Sequence, residues 1–249
     1  MIILHSDLDN TLIYSYKHDI GREKKCVEIY QDREVSFMTE KSYDLLKSVN
    51  DKVVFVPTTT RTVEQYDRID LGIGNIEYAL VCNGGVLLVN GKEDEAWYRE
   101  SVRLTADCQD ELEKAQGILE SDVHRTFEIR NIRQLFLFTK SDAPEKSAES
   151  LAKMLDMERV DVMCTGVKVY VVPKKLSKGT ALKRFREKVH GDKVIAAGDS
   201  EFDISMLQEA DVALVPAELA DKYFASEDVV RMSGKMVFSD DMLGYILHC

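Results

Sequence analysis

The stretch that decides the fold is Ile2-Ile3-Leu4-His5-Ser6-Asp7-Leu8-Asp9-Asn10-Thr11-Leu12, an apolar run that leads into two aspartates. The run predicts a buried strand of a parallel sheet that ends at residue 6. Asp7 and Asp9 form the only Asp-x-Asp among 44 acidic residues. Because open α/β sheets bind ligands outside the carboxyl ends of their strands, we expect both carboxylates at a binding edge. There one aspartate can attack phosphorus while the other transfers the proton.

The position of the two aspartates after a strand is explained equally well by a purely structural role in the turn. Asp and Asn tolerate tight turns and cap helices, so Asp-rich turns after strands are common. The remaining segments of the chain, taken in their order, favour the chemical interpretation.

Composition excludes several classes of protein. With 249 residues, 45% of them hydrophobic, the chain is predicted to fold into one large core or two modest ones. No apolar stretch reaches the roughly 18 residues of a membrane span, and the run before His5 is too short for a signal peptide, so we expect a cytoplasmic protein. A net charge of −11 argues against nucleic acid as a partner. Five scattered cysteines indicate reduced thiols rather than disulfides or a zinc site.

Strand-like and helix-like segments alternate at both ends of the chain, which predicts an α/β fold with a doubly wound, Rossmann-like parallel sheet. Further buried strands are expected at Lys52–Val56, Ala79–Cys82, Val194–Ala197 and Val212–Val215. Amphipathic helices are expected after an N-cap at Thr39 and from Ser177 to Val189.

The middle of the chain is predicted to form a separate α+β unit, residues 90–172, inserted between the two parts of the core, residues 1–89 and 173–249. Its expected elements are a helix at Thr105–Glu120, a strand at Leu135–Thr139, a helix that starts at Pro144, and a strand pair at Val160–Cys164 and Val167–Val172. The charged stretch 14–37 is predicted to contain a β-hairpin flap, because Cys26–Phe37 partly alternates around Gln31-Asp32-Arg33-Glu34.

Two more polar segments fall at strand ends of the same sheet. Thr58-Thr59-Thr60-Arg61 follows the second strand, where hydroxyl and amide groups can bind phosphate oxygens; a Thr-rich turn or helix cap is the simpler alternative. Ser177-Lys178-Gly179 opens a helix, whose N-terminus favours an anion and whose lysine adds a positive charge. Ser-Lys-Gly is also an ordinary cap.

The last polar segment is Gly198-Asp199-Ser200-Glu201-Phe202-Asp203, which places two acids on a turn that leads into a helix. Asp199 alone could be an N-cap. Together with Asp7 and Asp9, however, these acids would crowd negative charge, which costs free energy unless a cation or a shifted pKa relieves it. Because the candidate ligands are all oxygens, Mg²⁺ is the expected cation.

In these motifs the chain resembles the haloacid dehalogenase superfamily of phosphohydrolases, in particular the Cof-like and sucrose-phosphate-phosphatase-like members with a type IIB cap. The motifs are Asp7-Leu8-Asp9-Asn10-Thr11, Thr59-Thr60-Arg61, Lys178-Gly179, and Gly198-Asp199-Ser200 with Asp203. The inserted unit lies between the second and third motifs, where those proteins carry their cap. The resemblance therefore covers nearly the whole chain.

The resemblance implies a role for each motif. Asp7 would be the nucleophile that forms an aspartyl-phosphate, and Asp9 would be the general acid and base. Mg²⁺ would be held by Asp7, the backbone carbonyl of Asp9, Asp199, and Asp203 as a further or alternate ligand. Phosphate would be bound by Thr59, Thr60 and Lys178, and the substrate by Arg61 and Asn83, although Asn83-Gly84 is equally well a simple turn. The cap would select the substrate, with cationic candidates Arg99, Arg103, Arg125, Arg130, Arg133 and Lys168.

Three features depart from the family pattern. Thr60 stands where these proteins often have Gly, and Phe202 stands where they often have Asn. The link at residues 14–37 is also longer than usual. These departures bear on the geometry of the phosphate site and leave the nucleophile in place.

The predicted function is a Mg²⁺-dependent phosphatase that acts on a small phosphorylated metabolite, with a sugar phosphate as the expected substrate. Two alternatives stay open. A phosphomutase of the same superfamily would isomerise the sugar phosphate instead of releasing phosphate. A non-catalytic phosphoacceptor or sugar-phosphate sensor would also combine an acceptor aspartate, a threonine, a lysine and acids around Mg²⁺, but would not need Asp9. Neither nucleic acid nor membrane is an expected partner, and the oligomeric state stays open.

Overall fold

The computed structural model describes residues 1–225 and 229–248, and Cys249 lies outside the described residues. The strands are β1 (Ile2–Ser6), β2 (Tyr14–Ser15), β3 (Lys24–Tyr30), β4 (Arg33–Thr39), β5 (Val54–Pro57), β6 (Tyr78–Val81), β7 (Val86–Val89), β8 (Lys92–Glu93), β9 (Arg130–Ile132), β10 (Phe136–Lys140), β11 (Val160–Thr165), β12 (Lys168–Pro173), β13 (Lys193–Ala197), β14 (Val212–Pro216) and β15 (Val230–Met232). The α-helices are α1 (Glu40–Asn50), α2 (Val63–Tyr66), α3 (Glu95–Thr105), α4 (Gln109–Glu120), α5 (Pro144–Met154), α6 (Lys178–Val189), α7 (Ile204–Glu209), α8 (Ala217–Tyr223) and α9 (Phe238–His248).

The chain divides into two compact units. The first combines Met1–Asp94 with Lys178–Cys249, and the second is Glu95–Ser177. The predicted borders near residues 90 and 172 both fall slightly earlier in the sequence than these divisions. The first border lies later than predicted because β8 pairs with β7, and β7 pairs with β6 of the first unit.

A five-stranded parallel sheet forms the centre of the first unit, in the order β15-β14-β13-β1-β5. In register, Ser6 at the end of β1 pairs with Ala197 of β13 and with Pro57 of β5. The carboxyl ends of these three strands therefore lie side by side. This confirms the predicted parallel α/β core, and it places the residues after Ser6, Pro57 and Ala197 at one edge.

The strand β6 belongs to a separate three-stranded sheet in the order β6-β7-β8. It pairs antiparallel with β7, and it meets the segment after β5 through a single parallel bridge between Thr58 and Leu80. The chain reverses after β6 because Cys82 and Asn83 adopt positive φ angles of 53° and 57°. The apolar sequence of β6 predicts a buried strand correctly, but the tight reversal gives it an antiparallel partner.

The predicted flap is present as the hairpin β3–β4. Its turn residues Gln31 and Asp32 both have positive φ angles, 50° and 58°, as a two-residue turn of matching twist requires. The short strand β2 pairs with β4 and completes a three-stranded sheet. Val27 of β3 packs into the main core, so this hairpin is anchored to the first unit.

Helix α1 illustrates how local sequence and packing agree. Thr39 Oγ1 accepts a hydrogen bond from the Ser42 backbone N–H at 2.9 Å, which confirms the predicted N-cap. Leu46 and Val49 of α1 are fully buried in the core cluster that also contains residues of β1, β5 and α9. The apolar face of the helix is thus what fixes it against the sheet.

The second unit has an antiparallel sheet in the order β11-β12-β10-β9. Helices α4 and α5 pack on one face of it, with Leu112 and Leu151 in contact with the cluster of Leu137 and Val171. The predicted pair of strands around Thr165-Gly166 is confirmed by the register of β11 and β12. This is the α+β architecture that the sequence predicts for the inserted segment.

Helix α3 is absent from the sequence prediction, in which the first helix of this unit begins at Thr105. Its buried residues are Trp97, Ser101 and Thr105. The hydroxyls of Ser101 and Thr105 donate hydrogen bonds to backbone carbonyls one turn earlier in the helix, so these buried hydroxyls have hydrogen-bond acceptors. None of the helices in the described ranges is both long and apolar enough to cross a bilayer.

Candidate active site

The centre of the site is a buried trio of Asp7, Lys178 and Asp203. Lys178 Nζ donates to Asp7 Oδ1 at 2.5 Å and to Asp203 Oδ1 at 2.6 Å. The lysine is only 1% exposed, and Asp7 and Asp203 are buried as well. A buried ammonium requires such partners, because the cost of removing it from water is otherwise not offset. The residues come from the end of β1, the start of α6 and the turn after β13. The predicted position of Lys178 after a strand of the parallel sheet is wrong, because α6 follows β12, which belongs to the antiparallel sheet of the second unit.

Asp203 organises the turn that carries Asp199. Its Oδ2 accepts hydrogen bonds from the backbone N–H groups of Asp199 and Ser200, at 3.1 and 2.9 Å, and from Ser200 Oγ at 2.8 Å. Thr11 Oγ1, in the turn after β1, donates to Asp199 Oδ1 at 2.9 Å. The two motifs at residues 7–11 and 198–203 are therefore tied together directly.

Glycines allow these segments to approach closely. A Cβ on Gly198 would lie 2.3 Å from Cβ of Asp203, and one on Gly179 would lie 2.4 Å from the carbonyl oxygen of Ser205. Gly179 also donates its backbone N–H to Ser205 Oγ at 3.1 Å. The glycines at positions 179 and 198 are thus needed for the packing that brings Lys178 and Asp203 within hydrogen-bond distance.

The charges in this cluster are not balanced by the lysine alone. Burial raises the pKa of Asp7 well above its ordinary value; Lys178 opposes this, and Asp203 and Asp199 add to it. Burial and the nearby Asp203 raise the pKa of Asp199 to about 7. Burial alone would lower the pKa of Lys178, but the two carboxylates that it contacts raise it. The cluster therefore attracts further positive charge.

The same three carboxylates are suited to hold a metal ion. One oxygen each from Asp7, Asp199 and Asp203 lies within 4.8 Å of the others. All three donors are hard carboxylate oxygens, the ligand type that Mg²⁺ prefers. The donor chemistry and the excess negative charge both fit the predicted cation.

The side chain of Asp9 has a different partner. Arg61 binds it side-on, with Nε 2.8 Å from Oδ2 and Nη2 2.7 Å from Oδ1. Arg61 also forms an ion pair with Glu28 of β3, with 2.9 Å between Nη1 and Oε2. The two carboxylates raise the pKa of Arg61 despite its burial. Arg61, predicted as a substrate-binding residue, is thus bound to the predicted acid and base in this structure.

The remaining predicted residues form the neighbouring strand ends. Thr59 is fully buried; its backbone N–H donates to Leu80 O at 2.8 Å, and its carbonyl accepts from the Asn83 N–H at 2.9 Å. Thr59 Oγ1 accepts from the Arg61 backbone N–H at 3.2 Å. Thr60 is partly exposed beside it. The structure therefore brings the motif at Thr59–Arg61 and the turn at Asn83 together on one edge.

Sequence reasoning missed Glu28 and gave Thr11 no separate role. Thr11 belongs to the first motif, and its hydroxyl group was the feature of the sequence that indicated a polar contact at the site. Glu28 lies in an irregular part of the charged hairpin, and nothing in the local pattern distinguishes it from its neighbours. Of the cationic candidates in the second unit, Arg125 donates to the carbonyls of Leu119 and Phe127, which gives it a structural role.

A family comparison agrees with this arrangement. Residues 76–217, more than half of the chain, match the family model of haloacid dehalogenase-like hydrolases. The chain belongs to this family. The matched part includes Lys178, Asp199 and Asp203, while the first two motifs precede it.

Two curated relatives and one solved structure are similar over most of the chain. The phosphoglycolate phosphatase of Methanopyrus kandleri is 24% identical over 189 residues, which cover 74% of this chain and 79% of that protein. The phosphoglycolate phosphatase of Sulfurisphaera tokodaii is 24% identical over 194 residues, 75% of this chain and 76% of that protein. The sucrose-phosphatase of Synechocystis sp. PCC6803, solved with sucrose and phosphate, superimposes with a TM-score of 0.71 and 17% identity, covering 99% of this chain and 97% of that one.

These comparisons confirm two of the sequence predictions. The fold is the predicted α/β class with an inserted α+β unit, and the enzyme class is that of a haloacid dehalogenase-type phosphatase.

Proposed function

We propose that the protein is a Mg²⁺-dependent phosphatase that hydrolyses a small phosphorylated metabolite through a phosphorylated Asp7. The observation that carries this proposal is the buried trio in which Lys178 contacts both Asp7 and Asp203. A lone buried carboxylate would be protonated and a poor nucleophile, whereas Lys178 favours its ionised form. Family membership supports the same chemistry.

In the first step an oxygen of Asp7 attacks phosphorus, a new P–O bond forms, and the bond to the ester oxygen breaks. Asp9 gives a proton to the departing oxygen, so that the alcohol leaves neutral. In the second step Asp9 takes a proton from water as the water attacks phosphorus, and the Asp7 carboxylate is released with inorganic phosphate. Thr59 and Thr60 are assigned to bind the phosphoryl oxygens, next to the positive charge of Lys178.

A Mg²⁺ ion would be held by the carboxylates of Asp7 and Asp199, with Asp203 and the backbone carbonyl of Asp9 as further ligands. When bound, it would neutralise charge on the phosphoryl oxygens and orient them. The raised pKa values of Asp7 and Asp199 support this assignment, because both carboxylates gain from a neighbouring cation.

The substrate class that we propose is a sugar phosphate. The second unit supports this choice, because the sheet face opposite α4 and α5 carries aromatic residues. The rings of Phe138 and Tyr170 are 5.1 Å apart between centroids, and Arg130, opposite Phe138 in the register, lies over the ring of Phe127 at 4.8 Å. Aromatic rings combined with a few polar groups are typical of small-molecule sites. Phosphoglycolate, the substrate named for the two curated relatives, is the alternative substrate against which sugar phosphates are compared.

Phosphate release from a panel of esters tests the proposal. The panel contains hexose phosphates, sucrose phosphate, phosphoglycolate and p-nitrophenyl phosphate, each with Mg²⁺ or with EDTA. We expect Mg²⁺-dependent release that falls about 10³-fold or more in Asp7→Asn, because that amide cannot form the phosphoenzyme. Glu34→Gln, an exposed acid in the first unit, serves as the matched control and should keep full activity.

Product analysis separates the alternatives. Isomerised sugar phosphate without free phosphate would identify a phosphomutase instead. A stable phosphorylated Asp7 without turnover would identify a phosphoacceptor. Faster release from phosphoglycolate than from every sugar phosphate would reject the proposed substrate class and retain the phosphatase.

A further inference from the structure

Strand β3 carries a buried carboxylate, Glu28, which lies outside all four motifs of the site. Glu28 is only 3% exposed. It accepts a hydrogen bond from Ser36 Oγ at 2.6 Å and forms ion pairs with Arg68 at 3.0 Å and with Arg61 at 2.9 Å. A carboxylate that is removed from water requires this number of donors.

The backbone around Glu28 is built to direct this side chain inward. The register between β3 and β4 shifts on both sides of Glu28, between Cys26 and Glu28 and between Glu28 and Ile29. Such bulges redirect side chains at functional sites. The strand is held to the loop after α2 as well, since the Asp70 N–H donates to the carbonyl of Val27 at 2.9 Å. The hairpin therefore presents Glu28 to Arg61 from a fixed backbone.

Arg61 transmits this constraint to Asp9. Its Nε and Nη2 bind the two oxygens of Asp9, while its Nη1 contacts Glu28 and also the Gln65 carbonyl at 3.3 Å. All three guanidinium nitrogens are thus engaged, and the planar group cannot rotate without breaking contacts. The side chain of Asp9 is 48% exposed, and the two-point contact with Arg61 restrains the plane of its carboxylate. Glu28 shares its negative charge between Arg61 and Arg68, so it offsets only part of the positive charge that Arg61 brings to Asp9.

We propose that Glu28 is a positioning residue for the general acid: it holds Arg61 in the orientation from which Arg61 orients the Asp9 carboxylate. The inference rests on the proposed phosphatase function. It assigns the β3–β4 hairpin a part in cleavage of the phosphate ester.

The dependence on the leaving group tests this role. The alkoxide that leaves from benzyl phosphate is a strong base and needs a proton from Asp9, whereas p-nitrophenolate leaves without one. A general acid contributes about 10²- to 10⁴-fold, and a misplaced acid loses part of this. For Glu28→Gln we expect kcat/KM to fall about tenfold with benzyl phosphate and less than about twofold with p-nitrophenyl phosphate.

The ratio of the two kcat/KM values does not depend on the fraction of folded enzyme, so loss of stability cannot imitate the result. Arg61→Lys, which keeps the charge but lacks the planar fork, should show the same selective loss. Glu34→Gln removes a carboxylate from the same hairpin at an exposed position and should leave the ratio unchanged.

Two results would overturn the inference in distinguishable ways. If Glu28→Gln leaves the ratio of kcat/KM for the two esters unchanged, whether or not both values fall, the positioning role alone would be overturned. Wild-type protein that releases phosphate in the presence of Mg²⁺ from neither ester and from no member of the panel would overturn the proposed function, and the inference with it.

Discussion

Lys178 is the residue on which the charge balance of the site depends. It is the cation bound to two buried carboxylates, and both of its contacts are short. The sequence predicts its position well, because a lysine at the first turn of a helix after a buried strand is a recognisable signal. Its burial is not predictable in the same way, because that depends on how closely α6 approaches the turn after β13.

Replacement of Lys178 by Met is expected to lower the free energy of unfolding by about 3 kcal/mol, because Asp7 and Asp203 then remain buried without a cation. Lys183 on the same helix forms an exposed ion pair with Glu209 at 2.8 Å, so Lys183→Met should cost less than about 1 kcal/mol. Urea unfolding of both variants measures the difference. Equal costs would show that burial of the trio does not contribute to stability.

At the level of elements, α6 and α7 pack so closely that only a glycine fits between them. The sequence predicts both segments as helical, but it does not predict that Gly179 lies against the Ser205 carbonyl. The contact follows from how α6, which leads into β13, packs against α7, which follows it.

Gly179→Ala is expected to lower the free energy of unfolding by about 2 kcal/mol, because the new methyl would lie 2.4 Å from a backbone oxygen. Gly244 in the middle of α9 is the matched control, since a Cβ there meets nothing within 4 Å. Gly244→Ala should therefore stabilise the protein by about 0.5–1 kcal/mol through its better helix propensity. Thermal and urea unfolding measure whether each substitution raises or lowers the free energy of unfolding. Destabilisation by both substitutions would contradict the packing argument.

At the scale of the whole molecule, the site is assembled from both ends of the chain. Asp7 follows β1, and Asp199 and Asp203 follow β13, which pairs with β1 in parallel. The inserted unit of 95–177 separates these segments in sequence but not in the sheet. A cation bound to this cluster would link distant segments and would therefore oppose unfolding of the first unit as a whole.

Mg²⁺ at about ten times its dissociation constant is expected to stabilise the protein by about 1.4 kcal/mol, which for a chain of this size raises Tm by about 4 °C. Asp199→Asn should lose most of this increase, because it removes one of the three clustered carboxylates. Differential scanning calorimetry measures Tm, with NaCl at equal ionic strength as the control for screening. An equal increase in Asp199→Asn, or with NaCl, would argue against a specific site.

Local sequence patterns were sufficient to predict the central strands β1, β5, β13 and β14, the cap at Thr39, the acids that follow β1 and β13, and the lysine at the start of α6, but not the short strands β2, β7, β8, β9 and β15. These features depend on neighbours a few residues apart, and a parallel sheet then places consecutive strand ends at one edge. The contact of Glu28 with Arg61 and of Arg61 with Asp9 was decided only by tertiary structure. It depends on a β-bulge and on the docking of a hairpin against the loop after α2, and no periodicity in the sequence encodes where two such irregular segments meet.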